Sequence, residues 1–121
     1  FRDVTNGRYL DVGTHDPNQD SVSRLFYDRG WRGVHVEPTP HYAAAMRSAR
    51  PDEHVIEAAV SRSPAPLAFF EIPNTGLSTG VAEIAKFHEK AGWTFREILV
   101  PTVTLAGLFE FMGQYPIHWL K

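Results

Sequence analysis

Three short apolar runs separated by helix-length segments constrain this chain most. Tyr9-Leu10-Asp11-Val12, Gly33-Val34-His35-Val36-Glu37 and His54-Val55-Ile56-Glu57-Ala58-Ala59-Val60 each read as a buried strand. The first stops at Gly13 and the second at Pro38. Between the first two, Asp20 or Ser21 caps a helix that carries Val22, Leu25 and Phe26 and ends at Gly30. Between the second and third, Thr39 is an N-cap and Pro40 the first helical residue. Tyr42, Met46 and Ala49 share one side of that helix, and Pro51 lies beyond its end. The order is β-α-β-α-β with short connections. Parallel strands need such crossovers, so the expected class is α/β with a mostly parallel, doubly wound sheet.

The second half is less regular. Ser61-Arg62-Ser63-Pro64-Ala65-Pro66 is turn chemistry, and Leu67 to Ile72 reads as a strand in an antiparallel excursion. The 74–79 stretch is a loop. Thr79 is expected to cap a helix carrying Val81, Ile84, Ala85 and His88 and ending at Gly92. Glu97 to Val100 reads as a strand. Thr104 caps a helix with Leu105, Leu108, Phe109 and Met112, closed by Gly113, and Ile117 to Leu120 is the last strand.

Composition narrows the function classes. The 121 residues suit one domain, and 43% hydrophobic with 21% charged residues is ordinary for a globular fold. Twelve Lys and Arg against 14 Asp and Glu leave a net charge of −2, which argues against nucleic acid as a partner. No apolar run approaches the roughly 20 residues that span a bilayer, so no membrane partner is expected. There is no Cys and no visible signal peptide, and the expected location is cytoplasmic. The sequence opens on Phe1 rather than Met and stops just after a strand-like segment. Both features suggest part of a larger polypeptide.

In open parallel sheets, ligands bind at the carboxyl ends of strands. The first strand here ends in Asp11-Val12-Gly13-Thr14-His15-Asp16-Pro17. Gly13 permits a tight turn and close backbone approach. A dinucleotide fingerprint would place glycines two and five positions later, where His15 and Asn18 stand. An NAD-dependent oxidoreductase is therefore disfavoured. Asp11, Asp16 and Asp20 would repel a pyrophosphate but accept hydrogen bonds from an ammonium. Glu37 ends the second strand 24 residues after Gly13, where a carboxylate can accept both hydroxyls of a ribose. Adenosine plus an amino-acid ammonium, without phosphate, describes S-adenosylmethionine. Each residue also has a plainer role. Asp11 can anchor its loop, Asp16-Pro17 is an ordinary turn start, Ser21 can be only a cap, and Glu37 can be a solvated strand end. The six His are scattered without a helical pair at ligand spacing, so no metal site is expected.

With these blocks in order, the sequence resembles the FkbM family of S-adenosylmethionine-dependent methyltransferases. The resemblance rests on residues 9–17, on Asp20-Ser21-Val22, on the stretch from Phe26 to Pro38, and on Ala58-Ala59-Val60-Ser61. It continues through Thr75-Gly76-Leu77-Ser78-Thr79, Val100 to Leu105, and Ile117 to Lys121. It implies a Rossmann-like class I methyltransferase sheet, mostly parallel and cut after the strand at 117–120. Residues 1–121 would then be the N-terminal portion of an S-adenosylmethionine-binding domain. Family members continue with Ile-Asp-Val-Glu-Gly beyond the position of Lys121.

These readings together give Asp11, Gly13, Thr14, Asp16, Ser21, Glu37, Pro38, Ala58 and Ala59 as cofactor-binding residues. The resemblance implies that the Asp11–Gly13 turn and Asp16 face the methionine part, Glu37 the ribose, and Ala58 and Ala59 the adenine. His15 is the candidate base, with a loop hydrogen bond as its plainer role. Leu77, Ser78 and Thr79 are candidates for contact with the acceptor, because their loop lies between regular elements. The resemblance implies O-methylation of a hydroxyl on a sugar or secondary metabolite. The competing expectation is a degenerate Rossmann-like binding or assembly module without activity. A homo-oligomer is a further partner expectation.

Overall fold

The alternation of strands and helices folds largely as its pattern dictates. The computed structural model describes residues 2–121. Strand β1 (Arg8–Val12) pairs in parallel with β2 (Arg32–Val36), and β2 pairs in parallel with β3 (His54–Ile56). On the other side of β1 lies β8 (Trp119–Leu120), also parallel. The sheet order is β3-β2-β1-β8, so the chain steps outward from β1 and then returns to its opposite flank. The strand order thus reverses beside β1, at the turn that Gly13 makes. This is the mostly parallel α/β sheet expected.

Alternation along the strands sends successive side chains to opposite faces. Leu10, Val34 and Val36 form one core with Leu108 and Met112 of helix α4 (Leu105–Met112). Tyr9 stacks on Trp119 with ring centroids 4.6 Å apart. Gly33 is required opposite Tyr9, since a Cβ there would stand 2.2 Å from the Tyr9 ring.

The helices show where spacing and packing part. Helix α2 (Pro40–Ala49) buries Tyr42 and Met46 as its stripe demands and Ala43 beside them, while Ala49 is half-buried. Helix α1 is only Arg24–Asp28 and buries none of its residues, with Val22 and Leu25 exposed. Its expected cap at Asp20 or Ser21 fails because the buried Arg50 ties down that segment. Its guanidinium donates to the Pro17 carbonyl at 2.9 Å and to Ser21 Oγ at 3.3 Å. In helix α3 (Ala82–Lys90) only Ala85 is buried, and Val81 rather than Thr79 holds the N-cap position. Thr79 Oγ1 instead accepts from the Val81 amide at 3.1 Å.

The run at 54–60 divides. After β3 the Ala58 amide donates back to the Ile56 carbonyl, and β4 (Ala59–Val60) pairs with β7 (Thr102–Val103) instead. Strand β5 (Leu67–Glu71) pairs antiparallel with β6 (Arg96–Val100), which is the expected excursion. Among the described residues, no helix is long and apolar enough to cross a membrane.

Candidate functional site

The site grows from the turn after β1. Gly13 has φ +68°, a left-handed conformation that favours glycine. A Cβ there would meet nothing within 4 Å, so the φ and not crowding requires glycine. The Gly13 amide donates to the Val36 carbonyl at 2.7 Å and so ties the turn to the end of β2. His15 follows, also left-handed at φ 56°. Its amide donates to Glu37 Oε1 at 2.9 Å.

Glu37 is buried, and the other oxygen of its carboxylate is also engaged. Oε2 accepts from the Thr39 amide at 2.8 Å and the Thr39 hydroxyl at 2.7 Å. A carboxylate offers about four lone-pair sites. Three donors therefore leave Glu37 roughly one for a ligand unless its partners shift.

Two adjoining cavities open around this turn. The first, about 110 Å³, is lined by Gly13, His15, Glu37 and Pro38 together with Thr39, Tyr42, Phe69 and the loop residues Thr75, Gly76 and Ser78. The second, about 310 Å³, is mainly apolar and lined by Val12, Val36, Ala58, Ala59 and Val60 with Leu67 and Gly80. They share Gly13, Pro38 and Phe69. The second cavity offers mainly apolar walls, and the first adds the polar groups of His15, Glu37, Thr39, Thr75 and Ser78.

His15 sits against Tyr42 with ring centroids 4.0 Å apart. Its Nε2 has no hydrogen-bond partner among the described residues. A Cβ built on Gly76 would stand 3.9 Å from that atom, so the loop lies over the imidazole.

Behind the turn lies a buried charge network. His35 Nε2 is 2.6 Å from Glu53 Oε2, and His35 Nδ1 is 3.7 Å from Asp11 Oδ2, an ion-pair separation too long for a hydrogen bond. Arg50 Nη1 approaches Glu53 Oε2 at 3.4 Å, and the Tyr9 hydroxyl donates to Glu53 Oε1. Burial pushes the His35 imidazole down, but the Asp11 and Glu53 carboxylates outweigh it and hold it above its ordinary range. Burial likewise pushes Asp11 up, and His35 and Lys121 more than reverse it. The Lys121 ammonium donates to Asp11 Oδ1 at 3.1 Å and to the Gly13 carbonyl at 3.0 Å. That pair of acceptors therefore takes a cation in this structure.

The expected site residues divide accordingly. Gly13, Glu37, Pro38, Ala58 and Ala59 line the cavities, as do His15 and Ser78. Asp11 stands behind the turn, within the network. Asp16 is a turn anchor whose Oδ1 accepts from the Asn18 and Gln19 amides at 2.8 Å each, which holds its carboxyl below the usual range. Ser21 belongs to the Arg50 contacts. Thr14 is buried, and its hydroxyl lacks a hydrogen-bond partner among the described residues. Leu77 and Thr79 line neither cavity, and Ser78 Oγ accepts from the Ile72 amide at 3.0 Å. Sequence reasoning missed Tyr42 and Phe69 as cavity walls, since both carry the signal of core residues. It also missed the roles of Arg50, Glu53 and Lys121.

No curated protein and no solved structure matches the chain significantly. A family model, that of the methyltransferase FkbM domain, matches residues 11–121. That span runs from Asp11 at the glycine turn through the last strand, and the chain therefore belongs to the FkbM methyltransferase domain family.

Proposed function

We propose that this chain binds S-adenosylmethionine in the two cavities around Gly13 and directs its methyl group to a hydroxyl of a small acceptor, a sugar or secondary metabolite. The observation that carries this reading is Glu37, a buried carboxylate at the end of β2 that lines a cavity sharing Gly13, Pro38 and Phe69 with an adjoining apolar one. Membership of the family and a parallel sheet whose order reverses at β1 support a Rossmann-like class I arrangement.

On this reading the acceptor groups and apolar walls divide the cofactor between them. Asp11 lines neither cavity, but its Oδ1 and the Gly13 carbonyl hold the Lys121 ammonium, a place an amino-acid ammonium would take by displacing that lysine. Glu37 accepts from one ribose hydroxyl with the lone-pair site its three donors leave free. Val36, Pro38, Ala58 and Ala59 supply apolar walls for adenine. When bound, the cofactor supplies an electrophilic methyl group on a sulfonium. The protein orients the acceptor oxygen against it, which accounts for much of the barrier reduction in such transfers. His15 lines the cavity, and its Nε2, buried beneath Gly76 and unpartnered, is the group assigned to accept the hydroxyl proton, which requires the loop at Gly76 to yield to the acceptor.

Calorimetry on the full chain tests this. Glu37→Ala is expected to weaken S-adenosylmethionine binding about tenfold or more, since hydrogen bonds to a charged group contribute about 1.5–3 kcal/mol. An analogue without the ribose hydroxyls removes the difference between wild type and variant. Equal cofactor affinities for both proteins would overturn the assignment.

One observation favours the second reading, a binding or assembly module without catalysis. Asp11 and Glu37 are already engaged by Lys121, the His15 amide and Thr39. Absence of S-adenosylmethionine binding at millimolar concentration would select it.

A further inference from the structure

A separate cavity of about 230 Å³ lies beyond Tyr42, whose ring residue lines both this cavity and the polar one at Gly13. Its polar wall is Glu71, Arg96, Asn74 and His41, and Ile72 and Pro73 complete it with Tyr42. Glu71 and Arg96 are register partners at the end of the β5–β6 pair. Arg96 Nη2 donates to Glu71 Oε1 at 3.0 Å. Glu71 is only 4% exposed, yet its Oε2 has no hydrogen-bond partner among the described residues. A buried carboxylate oxygen left unpaired is costly, and such groups ordinarily find a donor. The Arg96 side chain is 64% exposed and keeps further N–H groups for a ligand.

The charges decide the ligand class. Glu71 and Arg96 cancel, and the free carboxylate oxygen repels phosphates and carboxylates while accepting from hydroxyls. Asn74, left-handed at φ 59°, lies on the loop whose following residues Thr75 and Gly76 line the cavity at Gly13. Tyr42, Ile72 and Pro73 give an apolar surface for the C–H face of a ring. We propose that the Glu71–Arg96–Asn74–His41 cavity is the acceptor subsite and that it takes a neutral polyhydroxylated ring. Its place as an acceptor subsite rests on the methyltransferase reading, whereas the binding itself does not.

Saturation-transfer NMR on the full chain tests the proposal. The probes are the methyl glycosides of glucose, mannose and fucose, with glucose 6-phosphate and glucosamine as charged counterparts. At least one neutral glycoside is expected to bind with a millimolar Kd. Glu71→Gln and Asn74→Gly are each expected to weaken it about tenfold. Glycine keeps the left-handed backbone at position 74, so that variant remains informative if the buried substitution impairs folding. Cofactor affinity is read by calorimetry on the same samples. Failure of all three neutral glycosides, binding of the charged sugars alone, or equal binding to wild type and both variants would overturn the subsite. Glycoside binding with the expected losses but no S-adenosylmethionine binding would uphold the site and sink the methyltransferase reading.

Discussion

His35 has no exposed surface and stands between the carboxylates of Asp11 and Glu53. Arg50, Tyr9 and Lys121 complete the charged and titratable groups around this cluster. Because its folded pKa is raised, the stability His35 contributes is complete below its unfolded value of about 6.5 and is lost as pH rises through the folded value. Asp11 and Glu53 behave oppositely. Burial pushes each up, but His35 with Lys121 at Asp11, and His35 with Tyr9 at Glu53, holds them below the carboxylate range. Their contribution is complete above about pH 4.3 and is lost as pH falls through their folded values. Stability is therefore expected to peak between about pH 4.5 and 6.5. His35→Ala leaves two buried carboxylates without the cation between them, and should destabilise the fold by about 3–5 kcal/mol. Urea unfolding across pH checks both points, and a variant that keeps the wild-type decline on the alkaline side would exclude His35 as its source.

Among the elements, capping was legible in the sequence only in part. Thr104 caps α4 as expected, its Oγ1 accepting from the Gly107 amide at 3.0 Å. Thr39 does start α2, but its hydroxyl donates to Glu37 instead of capping the helix. Thr104→Ala is expected to lower stability by about 1 kcal/mol, read as a shift in the urea midpoint at constant slope. An unchanged midpoint would contradict that capping role. Apolar spacing misled as well. Val22, Leu25, Val81 and Ile84 all follow helical spacing and all remain exposed. Periodicity reports that a face is apolar, but burial also needs a partner surface. The strand-like run at 54–60 divides for a related reason, since both halves suit strands while their partners differ.

Across the whole molecule, stability is unevenly distributed. β1 and β2 are buried through most of their length, whereas β6 is exposed at three of its five positions and α3 buries Ala85 alone. Local opening draws on regions with few buried apolar contacts. Amides of Leu10, Val34 and Val36 are expected to exchange near the global unfolding limit, and those of α3 and β6 well before it. Hydrogen exchange read by NMR checks this, and equal protection in both regions would contradict it. Sequence alone determined the β-α-β-α-β order, the parallel sheet, the glycine turn and the acidic end of β2. These follow from local rules of periodicity, capping and backbone freedom, which act within a few residues. Only the tertiary structure decided that Lys121 reaches Asp11, that Glu37 is held by His15 and Thr39, and that Tyr42 and Phe69 wall the cavities. Those contacts depend on strand register and on which buried charges must find partners, and local spacing does not encode either.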